Sequence, residues 1–307
     1  MVQLEQLQKI AGTDYVKIQE PMSAHTTFRI GGPADFFIEV QNEKILVELI
    51  RYCRQQEEAF FVLGNGSNLL VADEGYRGVM LSTKRFSKIE FLEKATDEGK
   101  TVVRAGSGVK LSTLASQVAA KSLTGFEFAS GIPGTLGGAV TMNAGAYGGE
   151  IRDVIQNARV LLQDGTILTL SKNELKLSYR HSIIQEQNMI VLEATFAFEP
   201  GDQIQIQNKM KELNSRRREK QPLEYGSAGS TFKRPEGYFA GKLIQDAGLQ
   251  GYRVGDVMVS EKHCGFVVNV GEGTYAQAMA VIKHVQETVW ERFGVMLELE
   301  VRRICDL

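Results

Sequence analysis

Apolar residues recur at three- and four-residue spacing across positions 43–57, where Ile45, Leu46, Leu49, Ile50 and Cys53 share one face and Asn42 stands where a cap belongs. The pattern predicts an amphipathic helix between two strand-like runs, Ala34–Val40 and Phe60–Leu63. The second run ends in Gly64-Asn65-Gly66-Ser67-Asn68 and is followed by Leu69-Leu70-Val71, so the segment reads as a β–α–β unit closed by a polar loop. Further strands are expected at Lys88–Glu93 and Thr101–Ala105, and a helix carrying Leu111, Leu114, Ala115, Val118 and Ala119. Beyond a glycine-dense stretch from Gly131 to Gly149, Ala158–Leu162 and Thr166–Leu170 flank Asp164-Gly165, which predicts a hairpin with a type I′ turn. Met189–Phe198 reads as a strand and Glu199-Pro200-Gly201-Asp202 as a linker.

The last hundred residues look like a separate lobe. A helix is expected over residues 203–219, ending in Arg216-Arg217-Arg218-Glu219-Lys220. Thr274 and Gln277 form a capping-box pattern before a helix whose predicted face is Met279, Ile282, Val285, Val289 and Phe293, with Gly294 as its stop. Residues 298–304 alternate as a strand, with Leu297, Leu299 and Val301 on one side and Glu298, Glu300 and Arg302 on the other. An α+β chain of 307 residues exceeds one ordinary core. The expected division is lobes of about 1–85 and 86–200, then a smaller α+β domain over 201–307.

Charge narrows the function classes. Lys plus Arg (35) nearly balances Asp plus Glu (37), and a net charge of −2 argues against a general nucleic-acid binder. No apolar run approaches the length of a membrane span, and the first turns carry Glu5 and Lys9 rather than an apolar leader. Cys53, Cys264 and Cys305 form no CxxC pair, which points to the cytoplasm and away from a metal cluster.

The segment Gly131-Ile132-Pro133-Gly134-Thr135-Leu136-Gly137-Gly138 lacks the GK[ST] of a Walker loop and the spacing of a GxGxxG turn. Bare backbone of this kind either cradles an anion with converging N–H groups or packs two strands closely through tight turns. The Gly64–Asn68 loop offers the same two readings. Together they suit a ligand with a long diphosphate spine.

The ordered motifs GNGSNLL, GIPGTLGGAVTMNAGAYGGE, LSYRHS, GSAGSTFKRP and LELEVR run from about Thr26 to Arg302. In that order they closely resemble the UDP-N-acetylenolpyruvoylglucosamine reductase family. The resemblance implies an FAD-binding fold of the vanillyl-alcohol-oxidase type in the first two lobes, followed by a substrate domain. It implies non-covalent FAD in the groove between those lobes, with NADPH as hydride donor and a nucleotide-sugar substrate. The implied FAD contacts are Gly64, Asn65, Gly66, Ser67, Asn68, Gly131, Ile132, Pro133, Gly134, Gly137, Gly138, Asn143, Ala144, Gly145 and Arg302.

Three residues match the family's catalytic positions. Arg180 would pair with the substrate carboxylate, Ser230 would deliver the proton, and Glu300 would assist at the same charge. Tyr179 and Lys220 match substrate-binding positions. Taken by residue type alone, Arg180 would be a surface arginine, Ser230 a turn serine and Glu300 the wet face of a strand. His263-Cys264 reads either as a reactive pair or as a buried thiol beside a structural histidine. Two departures stand out: Arg234 follows Phe232-Lys233 where the family often has asparagine, and the segment between Arg180 and Met189 has no room for a tyrosine-bearing lid. The competing functions are an alcohol or aldose oxidoreductase of the same flavin fold, and a non-catalytic nucleotide-sugar sensor.

Overall fold

The strand Ile190–Pro200 is buried almost continuously, at Val191, Leu192, Ala194, Phe196, Ala197 and Phe198, because it runs through the middle of a sheet covered on both faces. The computed structural model describes residues 2–95 and 99–305. The chain forms two compact units that do not follow chain order. The larger is Met1–Lys17, Phe37–Asn65 and Val79–Arg217; the smaller is Ile18–Phe36, Gly66–Gly78 and Arg218–Leu307.

In the larger unit the antiparallel sheet runs in the order Ile167–Ser171, Ile155–Leu161, Ile190–Pro200, Thr101–Gly106, Ile89–Ala95. The helices Leu111–Ala120 and Leu136–Thr141 contribute Leu111, Leu114, Ala115, Val118, Leu136 and Val140 to its core. Phe126 sits at the middle of an aromatic cluster, with ring centroids 5.4 Å from Phe128, 5.7 Å from Phe196 and 5.6 Å from Phe198. The helix Glu43–Gln55 starts where expected, with Asn42 Oδ1 accepting from the Ile45 amide at 3.1 Å. It leads into Phe60–Leu63, which pairs in parallel with Val79–Ser82.

Several sequence expectations are corrected here. Leu69–Val71 does not complete the β–α–β unit; it pairs in parallel with Arg302–Ile304 in the smaller unit. The strand expected over 298–304 is confined to Arg302–Ile304, with Leu299 held separately by a bridge to Phe232. Glu199 and Pro200 are the end of a strand rather than a linker, because Thr124 and Leu123 pair with them. The 164–165 hairpin forms, but through a three-residue loop in which Gly165 alone takes a positive φ, +90°. Its two closing bonds, Gly165 N to Leu162 O and Leu162 N to Thr166 O, fit a type I turn followed by a bulge.

In the smaller unit a sheet in the order Gly226–Ser227, Val267–Asn269, Val257–Val259, Arg253–Val254 packs against the helix Tyr275–Phe293. The capping box forms: Thr274 Oγ1 accepts from Gln277 N at 3.2 Å and Gln277 Oε1 from Thr274 N at 3.3 Å. Asp73 completes the cap by accepting from the amides of Tyr275 (2.7 Å) and Ala276 (3.0 Å). The buried face is Ala278, Val281, Ile282, Val285 and Val289, so Phe293 lies off it and is exposed. Among the described residues no helix is long and apolar enough to cross a membrane, and no metal-binding group of His, Cys, Asp and Glu occurs.

Phe126→Ala should destabilise the protein by about 3–5 kcal/mol in urea unfolding, since it empties the centre of the aromatic cluster. A loss below about 1 kcal/mol would show that the cluster is not packed around this ring.

Candidate functional site

The glycine-rich loop of the larger unit has two kinds of bare position. A Cβ on Gly137 would lie 2.9 Å from Ser107 Cβ, and one on Gly64 would collide with Thr135 Oγ1, so these glycines serve close packing. Gly138 is different: it is exposed, lies inside the helix Leu136–Thr141, and has no atom within 4 Å of an added Cβ. Alanine there would favour the helix by about 1 kcal/mol, so the protein's own packing gives no reason for glycine.

Not every amide of this loop is available to an anion. Leu136 N donates to Val109 O and Gly137 N to Ser107 O, both at 2.8 Å. Among the described residues, the amides of Gly134, Thr135 and Gly138 have no acceptor, and the buried Ser107 hydroxyl has no partner. Open space before Gly138, with unspent amides in the loop and Ser107 packed against Gly137, fits the diphosphate of a dinucleotide. Asn65 belongs to the same construction, since its Nδ2 donates to Pro133 O at 2.5 Å and ties the first loop to the second.

Asn143 is fully buried and its side chain is completely engaged. Nδ2 donates to Glu150 Oε2 at 2.5 Å and to Ser178 O at 2.9 Å, and Oδ1 accepts from Arg152 N at 2.9 Å. The bond to Ser178 fixes the turn that carries Tyr179 and Arg180. That turn is closed by Ser178 N to His181 O (3.1 Å) and His181 N to Ser178 O (3.2 Å). Arg180 is held at φ +54°, a conformation that costs a non-glycine residue about 1–2 kcal/mol, and its guanidinium lies 5.1 Å from the Tyr179 ring centre. Ala144 and Gly145 lead into the small hairpin of Gly145–Ala146 with Gly149–Glu150. Its turn residues Tyr147 and Gly148 both take positive φ, so the two-residue positive-φ turn expected at 164–165 occurs here instead. After His181, only the four-residue helix Ile183–Glu186 precedes the strand at Ile190, so the segment contains no lid.

In the smaller unit one buried residue, Thr231, holds the other motifs. Its amide donates to Gly265 O at 2.9 Å, its carbonyl accepts from the amides of Glu300 (2.9 Å) and Val301 (3.4 Å), and its hydroxyl accepts from Val267 N at 2.9 Å. Ser230 is therefore chained to the Glu300 backbone through the adjacent peptide. Asn68 joins the same knot, with Nδ2 donating to Glu300 O at 3.0 Å and its carbonyl accepting from Arg302 N at 2.9 Å. Gly66 takes φ +64° under the His25 carbonyl, which a Cβ would strike, and its own carbonyl accepts from Thr27 N at 3.3 Å. Ser67 follows it, half-buried. Sequence reasoning missed Thr231, Thr135 and Ser107, whose only local signal is a small hydroxyl beside a glycine motif.

The Ser230 hydroxyl bonds to no group among the described residues, so no protein relay reaches it. Lys220 is exposed at the end of the helix Gln203–Lys220. Its charge reaches His263, whose imidazole is pushed below its ordinary value, chiefly by burial. His263 Nδ1 accepts from Gly265 N at 3.1 Å, and burial raises the neighbouring Cys264 thiol, so the pair is structural rather than reactive. Arg234 stacks on Phe239, with its guanidinium 4.0 Å from the ring centre.

Comparison with known proteins adds to this geometry. Residues 34–171 match a family model described as an FAD binding domain. Residues 221–304 match the C-terminal domain of UDP-N-acetylenolpyruvoylglucosamine reductase. A protein of that name from Lachnoclostridium phytofermentans is 54% identical, covering 98% of this chain and 96% of its own. Another from Agathobacter rectalis is 55% identical over 93% of this chain and 92% of its own. The crystal structure of UDP-N-acetylenolpyruvylglucosamine reductase from Thermus caldophilus superposes with a TM-score of 0.79 at 32% identity, covering 94% of this chain and 98% of the other.

Asn143→Ala removes three hydrogen bonds, among them one of the two that the Ser178 carbonyl accepts. The protein should lose roughly 2–4 kcal/mol of stability, and trypsin should cut after Arg180 faster than in the wild type. Unchanged cleavage at Arg180 would show that Asn143 does not restrain the turn.

Proposed function

The chain belongs to the UDP-N-acetylenolpyruvoylglucosamine reductase family, and on that footing we propose how its own side chains divide the reaction. It is an FAD-dependent oxidoreductase that uses NADPH to reduce the enolpyruvyl group of UDP-N-acetylglucosamine-enolpyruvate to UDP-N-acetylmuramate, a peptidoglycan precursor. FAD, when bound, carries the hydride from NADPH to the substrate. Its diphosphate is held non-covalently by the backbone of Gly131–Gly138, chiefly at Gly134, Thr135 and Gly138. Gly64–Asn68, Ala144–Gly145 and Arg302 are the further residues that the family resemblance assigns to FAD. The free cysteines Cys53, Cys264 and Cys305 and the nucleotide reactants fit a cytoplasmic enzyme.

Hydride adds to the terminal carbon of an enol ether conjugated to a carboxylate. Negative charge then develops on the carboxylate oxygens, and the carbon next to them takes a proton. Arg180 meets the carboxylate with a fork that pairs both oxygens and never loses its charge. Its turn, anchored by Asn143, supplies the fixed geometry that such stabilisation needs. Tyr179, half-exposed and stacked by Arg180, contacts the substrate beside it. Ser230 gives its proton to the carbon, and Glu300 assists at the same charge. The observation that carries this assignment is the Thr231 knot, in which the residue next to Ser230 in the chain also holds the Glu300 amide on its carbonyl. Lys220, whose ammonium is exposed, binds the UDP diphosphate.

Ser230→Ala should leave NADPH oxidation at the wild-type rate and slow consumption of the enolpyruvyl substrate by about 10²–10⁴-fold, with the two half-reactions followed separately by anaerobic stopped-flow absorbance. The reverse split would move the proton donor elsewhere, with Ser227 the next candidate. Arg180→Lys keeps the charge but loses the fork, so substrate reduction should fall by roughly two orders of magnitude with FAD content unchanged. Near-normal turnover would show that Arg180 does not hold the carboxylate.

A further inference from the structure

We propose that Arg217 is a diphosphate-binding residue, its guanidinium held against the glycine-rich loop so that a phosphate oxygen of the bound dinucleotide or nucleotide sugar completes its hydrogen bonding. The proposal rests on reading that loop as a diphosphate cradle.

The geometry begins at Gly131. A Cβ there would lie 3.0 Å from Arg217 Cδ and 2.7 Å from Asn214 Oδ1. The bare position is therefore what lets one face of the helix Gln203–Lys220, carrying Asn214 and Arg217 three residues apart, lie on the start of the loop. Ser130 Oγ donates to Asn214 Oδ1 at 3.4 Å and fixes the same contact. Gly131 thus serves to admit the stem of an arginine.

Arg217 is unlike the cations around it. Arg216 is exposed, pairs with Glu212 at 3.4 Å and stacks 5.3 Å from the Tyr147 ring centre. Arg218 and Lys220 are exposed too, and such residues are enough to complement the carboxyl end of the helix dipole. Arg217 is half-buried and forms neither a side-chain hydrogen bond nor an ion pair among the described residues. Burial pushes its guanidinium below the ordinary value, and the group acting in the opposite sense is the Tyr147 phenol rather than a carboxylate. A half-buried guanidinium with no ion-pair partner among the described residues keeps N–H donors that an anion can complete. Its neighbours, Gly131 and Tyr147, belong to the two segments that flank the proposed cradle. The chemistry that pairs best with a planar fork there is phosphate.

The test uses the full-length holoprotein and the variants Arg217→Gln and Arg217→Lys. FAD affinity is measured by dilution, from the fluorescence of released FAD, and UDP affinity by calorimetry on the FAD-loaded protein. Loss of one charge-assisted contact should weaken one ligand by about 10- to 100-fold in Arg217→Gln, with Arg217→Lys in between. Weakened FAD with unchanged UDP assigns the residue to the cofactor diphosphate; the opposite assigns it to the nucleotide sugar. If both affinities stay within about twofold of wild type, the proposal is overturned. Should Arg217→Gln not yield folded protein, Arg217→Lys decides alone, and wild-type affinity for both ligands overturns the proposal. A wild-type protein that binds neither ligand would overturn the cradle itself, which is a separate result.

Discussion

The amide and hydroxyl of Thr231 bond to one segment, at Gly265 and Val267, and its carbonyl to another, at Glu300 and Val301, and the arrangement of these motifs in the smaller unit depends on that one residue. Residues 295–301 have no strand of their own for most of their length, so Glu300 cannot be positioned by a regular ladder. It is positioned instead by donating its amide to the Thr231 carbonyl, while Asn68 takes the Glu300 carbonyl. A buried threonine with all three polar groups satisfied is a rigid joint, because releasing any bond leaves an unpaired group in a dry interior. Ser230 inherits that rigidity through the adjacent peptide bond.

The larger unit solves the same problem with Asn143. An asparagine has two donors and one acceptor to spend, and here they close a carboxylate, a carbonyl and an amide. The carbonyl is Ser178 O, at the entrance to the turn that holds Arg180 in a left-handed conformation. Backbone strain at a functional side chain persists only where the surroundings over-determine it. In both units, then, an irregular segment carrying a proposed catalytic group is fixed by one buried polar residue, through the side chain of Asn143 and the backbone carbonyl of Thr231, rather than by regular secondary structure.

That division explains what the sequence revealed. The helix Glu43–Gln55 with its Asn42 cap, and the Thr274/Gln277 box, were legible because each signal lies within four residues of what it controls. Asp73, which caps the same Tyr275 helix from two hundred positions away, carries no local mark. Pro200 suggests a linker until Leu123 pairs with it, and Glu298–Val301 alternates like a strand although it borrows its contacts from Thr231 and Phe232. The proposed catalytic residues Arg180, Ser230 and Glu300 stand out only as members of ordered motifs. The residues that hold them in place, Thr231 and the side chain of Asn143, were legible neither by type nor by spacing, because their roles lie entirely in distant partners.

A balanced charge count misleads about anion binding for a related reason. Net charge describes the far field, which counterions screen within about a Debye length, whereas a diphosphate meets groups a few ångströms away with little water between. Most of the paired lysines and arginines here face carboxylates on the surface, as Arg77 does Asp35 and Lys242 does Asp246, and such pairs add little to either fold or binding. The groups proposed to meet the anion are ones without a protein partner among the described residues: the amides of Gly134, Thr135 and Gly138, the Ser107 hydroxyl and the half-buried Arg217. None of these changes the charge total enough to be noticed. Two of them depend on glycines of different purpose: Gly131 is bare so that an arginine can lie against the loop, and Gly138 is bare although no protein atom fills the space before it. What distinguishes a ligand site from a tight turn in this loop is therefore the side of the missing Cβ that is left empty.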